Sequence, residues 1–95
     1  MTRQQWLFTQ LMSEACEVAH AVSKILMFGP NDHYPGYGHN MERLKAELND
    51  MKATITLLQR EKAVPYTIDD QAQMNAKLDK IQVMYQYAKE RGEVM

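Results

Sequence analysis

Two pairs of carboxylates carry the strongest chemical signal in this sequence. Glu14 and Glu17 stand three residues apart, and Glu47 and Asp50 repeat the spacing. Three residues is close to one helical turn, so each pair points its acids to neighbouring positions on a helix surface. With Glu14 at zero on a wheel of about 100° per residue, Leu7 and Ile25 fall near +20°, Val18 near +40° and Leu11 near +60°. Glu14 therefore lies within an apolar stripe, where leucine is the ordinary occupant. Glu17 falls at about −60° and Lys24 at about −80°, along one edge of the same face. An inward-facing carboxylate is costly unless it is paired or metal-bound. Two of them one turn apart repel each other unless a cation or a proton neutralises them.

The second pair behaves similarly. With Leu44 at zero, Glu47 falls at about −60° and Asp50 at about −120°. Glu47 flanks its stripe, while Asp50 lies further round and is the less diagnostic member. Packed antiparallel, two such helices bring four oxygen-rich side chains together. Hard oxygen donors of that kind suit Mg²⁺ or Mn²⁺ rather than zinc. The plain alternative for any acid pair at this spacing is a solvated face. Glu14 in mid-stripe is the feature that a solvated face does not explain.

The elements that must position these acids are all helical. Gly29, Pro30, Pro35, Gly36 and Gly38 fall in one stretch from Gly29 to Asn40, and only Pro65 and Gly92 lie elsewhere. Between the breaks, apolar residues recur at helical spacing. Leu7, Leu11, Val18, Val22 and Ile25 define a first helix from about Thr2 to Phe28, stopped by Gly29-Pro30. A second helix begins after Asn40, read as its N-cap. Its stripe is Met41, Leu44, Leu48, Met51, Ile55 and Leu58, and it ends near Arg60. Thr67-Ile68-Asp69-Asp70 signals a third start, with acids placed in the first turn to suit the helix dipole. Met74, Leu78, Ile81, Tyr85 and Ala88 form its stripe, and Gly92 closes it. No strand pattern appears. The expected fold is an all-α bundle of three main helices in a single domain over residues 1–95, completed by oligomerisation.

Composition supports that picture and excludes several function classes. A chain of 95 residues makes one small domain whose core is marginal alone. The first helix would run about 39 Å at ~1.5 Å per residue, longer than two other helices readily cover. Eight methionines suit adaptable helix contacts. A homodimer or a dimer of dimers is therefore expected. Cys16 is the sole cysteine, so no internal disulfide forms and a reducing compartment is the simple reading. Lys and Arg total 11 against 12 Asp and Glu, which argues against a nucleic-acid partner, since phosphate backbones call for a basic excess. No apolar run approaches the roughly 20 residues that cross a bilayer. Gln10, Ser13 and Glu14 interrupt any signal-peptide core. The expected location is the cytoplasm, or the host cytoplasm for a phage-encoded chain, with no membrane association.

Ser13-Glu14-Ala15-Cys16-Glu17 followed by Glu47-Leu48-Asn49-Asp50 resembles the paired ExxE and ExxD motifs of the MazG-like, all-α nucleoside triphosphate pyrophosphohydrolases. The run from Glu14 through Val18 into Ser23-Lys24-Ile25-Leu26-Met27-Phe28-Gly29 is similar to short phage and bacterial members. So are Asn40 through Asp50, Asn75 through Ile81, and the closing Tyr87 to Gly92. The resemblance touches most of the chain. Two departures bear on substrate preference: a long Gly/Pro/His-rich stretch between the motifs, and Met27 where the family pattern places arginine.

The resemblance implies Mg²⁺-dependent hydrolysis of a nucleoside triphosphate to monophosphate and pyrophosphate, with Mn²⁺ as a substitute. It implies Glu14, Glu17, Glu47 and Asp50 as metal ligands, with Glu14 or Glu17 as general base. The physical demand agrees, since acids approach a triphosphate only through cations. Lys24, one turn beyond the acidic face, is placed to meet a phosphate oxygen or to bridge Glu17. Lys77 and Lys80 belong to the family-like part of the third helix. For each lysine a solvated face is the competing reading. Trp6, with Phe8, precedes the acids by about two turns and either stacks on a base or fills a core or dimer contact.

Other constellations carry less. Glu17 and His20 form a Glu-x-x-His of the di-iron kind, but the second copy that such bundles need is missing. Cys16 and His20 stand at i, i+4 with no third group for a thiol enzyme. His33, Tyr34, Tyr37 and His39 sit in the Gly/Pro stretch as a nucleotide lid or, more simply, a surface loop. No Gly-x-x-x-x-Gly-Lys occurs, so phosphates are not held by a P-loop. The alternative to an enzyme is a helical module that dimerises and binds a protein partner. It explains the stripes equally well and leaves Glu14 unexplained.

Overall fold

The computed structural model describes residues 1–32 and 38–95, and every regular element among them is helical. The elements are α1 (Arg3–Phe28), α2 (Asn40–Arg60), a short 3₁₀ turn (Tyr66–Ile68) and α3 (Gln71–Glu90). The all-α expectation with three substantial helices therefore stands. The chain divides into two compact units, Met1–Pro65 and Tyr66–Met95.

In the first unit α1 and α2 form an antiparallel hairpin. Its ends are tied by side chains. Arg3, at the start of α1, makes a two-pronged bond to Glu61, just past α2, with Nε and Nη2 at 2.7 and 2.9 Å from the two carboxylate oxygens. At the other end, Asn40 Nδ2 donates to the carbonyls of Gly29 (2.9 Å) and Lys24 (3.5 Å). Asn40 was expected as the N-cap of α2. Instead the cap position falls on His39, and Asn40 is the first helical residue, buried and turned back onto α1. The reason is that the Gly29 carbonyl lies beyond the helical ladder of α1, and the Asn40 amide supplies its donor.

Local signals set the boundaries. Thr2 and Gln5 form a reciprocal capping box at the start of α1. The chain leaves α1 at Gly29 with φ of +91°, its N–H bonded to Ile25. Leu7, Ala21 and Leu58 are buried. Leu11, Val18, Ile25, Leu44, Met51 and Ile55 are half-buried along the same faces. Leu7 is only 2% exposed, so it is spent inside the chain. Val22, at the stripe's edge, remains exposed.

The second unit holds α3. Asp70 caps it, accepting a bond from the Gln73 N–H at 3.0 Å. The helix thus starts beyond the acids that were expected in its first turn. Gly92 closes it as expected: at φ of +76° it bonds Lys89, and Glu93 bonds Ala88, the paired pattern of a Schellman end. Of the expected stripe, Met74, Leu78, Ile81 and Tyr85 are exposed and Ala88 is half-buried.

Candidate metal centre

The antiparallel register that pairs Arg3 with Glu61 and Lys24 with Asn40 sets Glu14 opposite Asp50 near the middle of the hairpin. Glu14, Glu47 and Asp50 each offer a carboxylate oxygen, and these lie within 4.8 Å of one another. Glu14 and Glu47 are half-buried and Asp50 is exposed. The carboxyl of Glu14 is held above its ordinary value. Lost hydration is the largest cause, followed by repulsion from Asp50, Glu47 and then Glu17. An inward acid surrounded by like charge resists ionisation.

Glu17 stands apart from this trio. It is exposed and lines a small neighbouring cleft with His20, Lys24, Asn40, Arg43 and Glu47. Glu47 thus belongs to both features. Lys24 sits with its ammonium 5.6 Å from the centre of the Phe28 ring, on the cleft side of α1. Trp6 is on α1, 49% exposed, about 12 Å along the axis from Glu14 at 1.5 Å per residue. Lys77 and Lys80 are exposed on α3, in the second unit. Of the proposed lid, His39 is the α2 cap residue, and His33, Tyr34 and Tyr37 lie outside the described residues.

Arg43 is the cleft residue that the sequence reading passed over. Its signal was available: it precedes Glu47 by four residues and so shares its face of α2.

Does this donor set fit a divalent cation? It is made of oxygen alone, it is open to solvent on the Asp50 side, and its members repel one another. Mg²⁺ and Mn²⁺ favour carboxylate oxygens and retain several waters, so a half-open acidic site accommodates them. Thiolate or imidazole donors that would favour zinc are not part of the trio. The residues fit the ion.

Compared with protein-family models, curated proteins and solved structures, the chain matches none. No helix among the described residues is long and apolar enough to cross a membrane.

Proposed function

We propose that this protein is a Mg²⁺-dependent nucleoside triphosphate pyrophosphohydrolase of the MazG-like kind, converting a (d)NTP to (d)NMP and pyrophosphate and so controlling or cleaning nucleotide pools. The observation that carries the reading is the convergence of Glu14, Glu47 and Asp50 from two helices onto one point. Acids at i, i+3 on one solvated helix are common. Acids brought together from two packed helices repel one another, and a bound cation relieves that repulsion. The sequence resemblance supplies the reaction class.

Glu14, Glu47 and Asp50 would hold Mg²⁺, with Mn²⁺ as a substitute. The bound ion supplies charge neutralisation of the phosphates and acidification of a water. The chain's own residues do the remaining work. Glu17, exposed and beside the trio, is the carboxylate left to accept a proton from the attacking water. That water adds to the α-phosphorus, the bond to the bridging oxygen breaks, and pyrophosphate departs. Lys24 screens the departing charge, and Trp6 offers a half-exposed ring for a base. Lys77 and Lys80 remain candidates for phosphate contact. The location proposed is the cytoplasm, and the working unit is a homodimer or a dimer of dimers.

The test is incubation with a panel of NTPs and dNTPs plus Mg²⁺, separating products by chromatography. Monophosphate and pyrophosphate are expected, abolished by EDTA. Diphosphate and orthophosphate as first products would place the cut at the wrong bond and overturn the assignment. A helical interaction module is the second reading, favoured by the exposed apolar stripe of α3. It predicts no turnover with any nucleotide.

A further inference from the structure

Helix α1 carries a second apolar stripe beside the one it packs against α2. On the wheel with Glu14 at zero, the buried Leu7 and Ala21 fall at about +20° and −20°, which fixes the packed side. The charged residues of α1, Arg3, Glu14, Glu17 and Lys24, fall between about −80° and 0°. On the opposite flank, between about +80° and +160°, lie Phe8, Met12, Ala15, Ala19, Val22 and Leu26. Each of these is exposed, Leu26 at 81% and Met12 at 69%. They recur at alternating steps of four and three residues, the repeat of a helix that pairs with another helix. Thr9, Cys16 and Ser23 extend the uncharged sector to about +220°. A solvated helix face ordinarily carries charged side chains, and this one carries none over about five turns. Thr9 and Ser23 donate their hydroxyls to the carbonyls of Trp6 and His20 in their own helix. The face can therefore lose water without stranding those donors.

We infer that this stripe is a two-fold seam, on which α1 packs antiparallel against α1 of a second copy. The spacing is the same from either end about position 17. An antiparallel pair therefore sets Phe8 against the partner's Leu26, Met12 against the partner's Val22 and Ala15 against the partner's Ala19. The same contacts recur in reverse, as a two-fold interface demands. Alanines at the axis let the two backbones approach, and the larger side chains fill the ends. Antiparallel packing also sets opposite ends of the two helix dipoles side by side. Charge selects the occupant: a neutral face is matched by a copy of itself, whereas a charged helix would lose hydration there and find no partner group. The seam is about 27 Å long, and one such contact falls below the roughly 1,200–2,000 Å² that a stable complex buries. A dimer of dimers contains each kind of two-fold contact twice, and two seams closed together hold where one does not. The exposed stripe of α3 is the second surface such an assembly needs. The seam concerns assembly alone and does not rest on the pyrophosphohydrolase reading.

Cys16 supplies a direct probe. It is exposed, it is the sole cysteine, and it lies one position from the centre of the seam. The two copies of it therefore face each other close to the axis, and a covalent dimer formed through it reports this contact and no other. The experiment combines sedimentation of the full chain at high micromolar concentration with cross-linking by a short bismaleimide, and circular dichroism checks the fold. Wild type is expected to sediment as four chains. Ala15→Glu sets two carboxylates across the axis and should halve that mass while keeping the helical signal, because Ala15 is exposed in the single chain. Ser13→Glu, on the same helix but about 100° beyond the edge of the stripe, should leave the mass unchanged. The bismaleimide should join wild type into covalent dimers, and in Ala15→Glu the yield should fall to that of the denatured chain. Wild type that sediments as a single chain overturns the seam, since the face would then serve another occupant or none. So does Ala15→Glu with the wild-type mass, and so does a wild-type oligomer whose Cys16 cross-links no better than the denatured chain. Nucleotide turnover is no part of the readout, so the seam and the hydrolase reading fail separately.

Discussion

Glu14 concentrates the chemistry in one side chain. It occupies a leucine position, it has lost hydration, and three other acids act on it. Its raised carboxyl value has a definite consequence for stability. The folded chain favours the protonated form, so this group's stabilisation is fully present below the ordinary value of 4.5. It is lost as pH rises through the elevated folded value. Without metal, the wild-type melting temperature should therefore fall relative to Glu14→Gln between about pH 4.5 and neutrality. Taking the difference between the two proteins cancels groups that move the other way, such as Glu61, whose carboxyl Arg3 holds low. At neutral pH, Mg²⁺ should raise the wild-type melting temperature and leave Glu14→Gln nearly unmoved. The same variant should lose activity by more than about a hundredfold, since even residues behind a metal ligand cost 10–100-fold. A variant that turns over nucleotide at the wild-type rate would show that the trio is not the site.

At the scale of the elements, helix ends decide whether the acids meet. Asn40 fastens the closed end of the hairpin with two donated bonds. Asn40→Ala leaves the Gly29 carbonyl, just past α1, without its side-chain donor and should cost about 1–3 kcal/mol. Thermal unfolding should register that as a lower midpoint, with Mn²⁺ affinity weakened because the register of Glu14 against Asp50 loosens. The other end of α2 carries strain. Lys62 closes the helix at φ of +60°, bonding Gln59 while Ala63 bonds Leu58, in a position glycine fills at no steric cost. Lys62→Gly should therefore stabilise the chain by about 1 kcal/mol, a rise of several degrees in the melting midpoint. These two residues also show where the sequence was legible and where it was not. Gly29 and Gly92 announce helix ends because their freedom at positive φ is rare among residues, and both do what their type suggests. Lys62 announces nothing, since its conformation is imposed by the turn. Asn40 was misassigned because the amide that caps a helix start equally serves the carbonyls of another helix's end. Glu14 was legible from its own wheel. Asp50 was not, because a wheel measures a residue against one axis, and Asp50 joins the trio only through the placement of α2 against α1.

For the whole molecule, the unsettled quantity is apolar surface. Met74, Leu78, Ile81 and Tyr85 recur at helical spacing along α3, and each is between 46% and 59% exposed. A helix of that length is marginal in water without a packed face, and among the described residues the buried apolar ones, Leu7, Ala21 and Leu58, all lie in the hairpin. A stripe of that kind is ordinarily covered, and the symmetric way to cover it is a second copy presenting the same stripe. Sedimentation at micromolar concentration should give a mass at least twice the 11.1 kDa of one chain. The melting temperature should rise with protein concentration, because association stabilises the folded state by mass action. Replacing Leu78 and Ile81 by glutamate should shift the population to monomer and lower the melting temperature, since like charges would then face each other across the two-fold axis. The surface control is Asp79→Lys, which sits on the same helix, about 100° beyond the edge of the stripe, and should leave the mass unchanged. A compact 11.1 kDa species that hydrolyses nucleotide at full rate would remove the oligomer. It would not touch the acidic trio, whose three members come from a single chain, and the two conclusions therefore stand or fall separately.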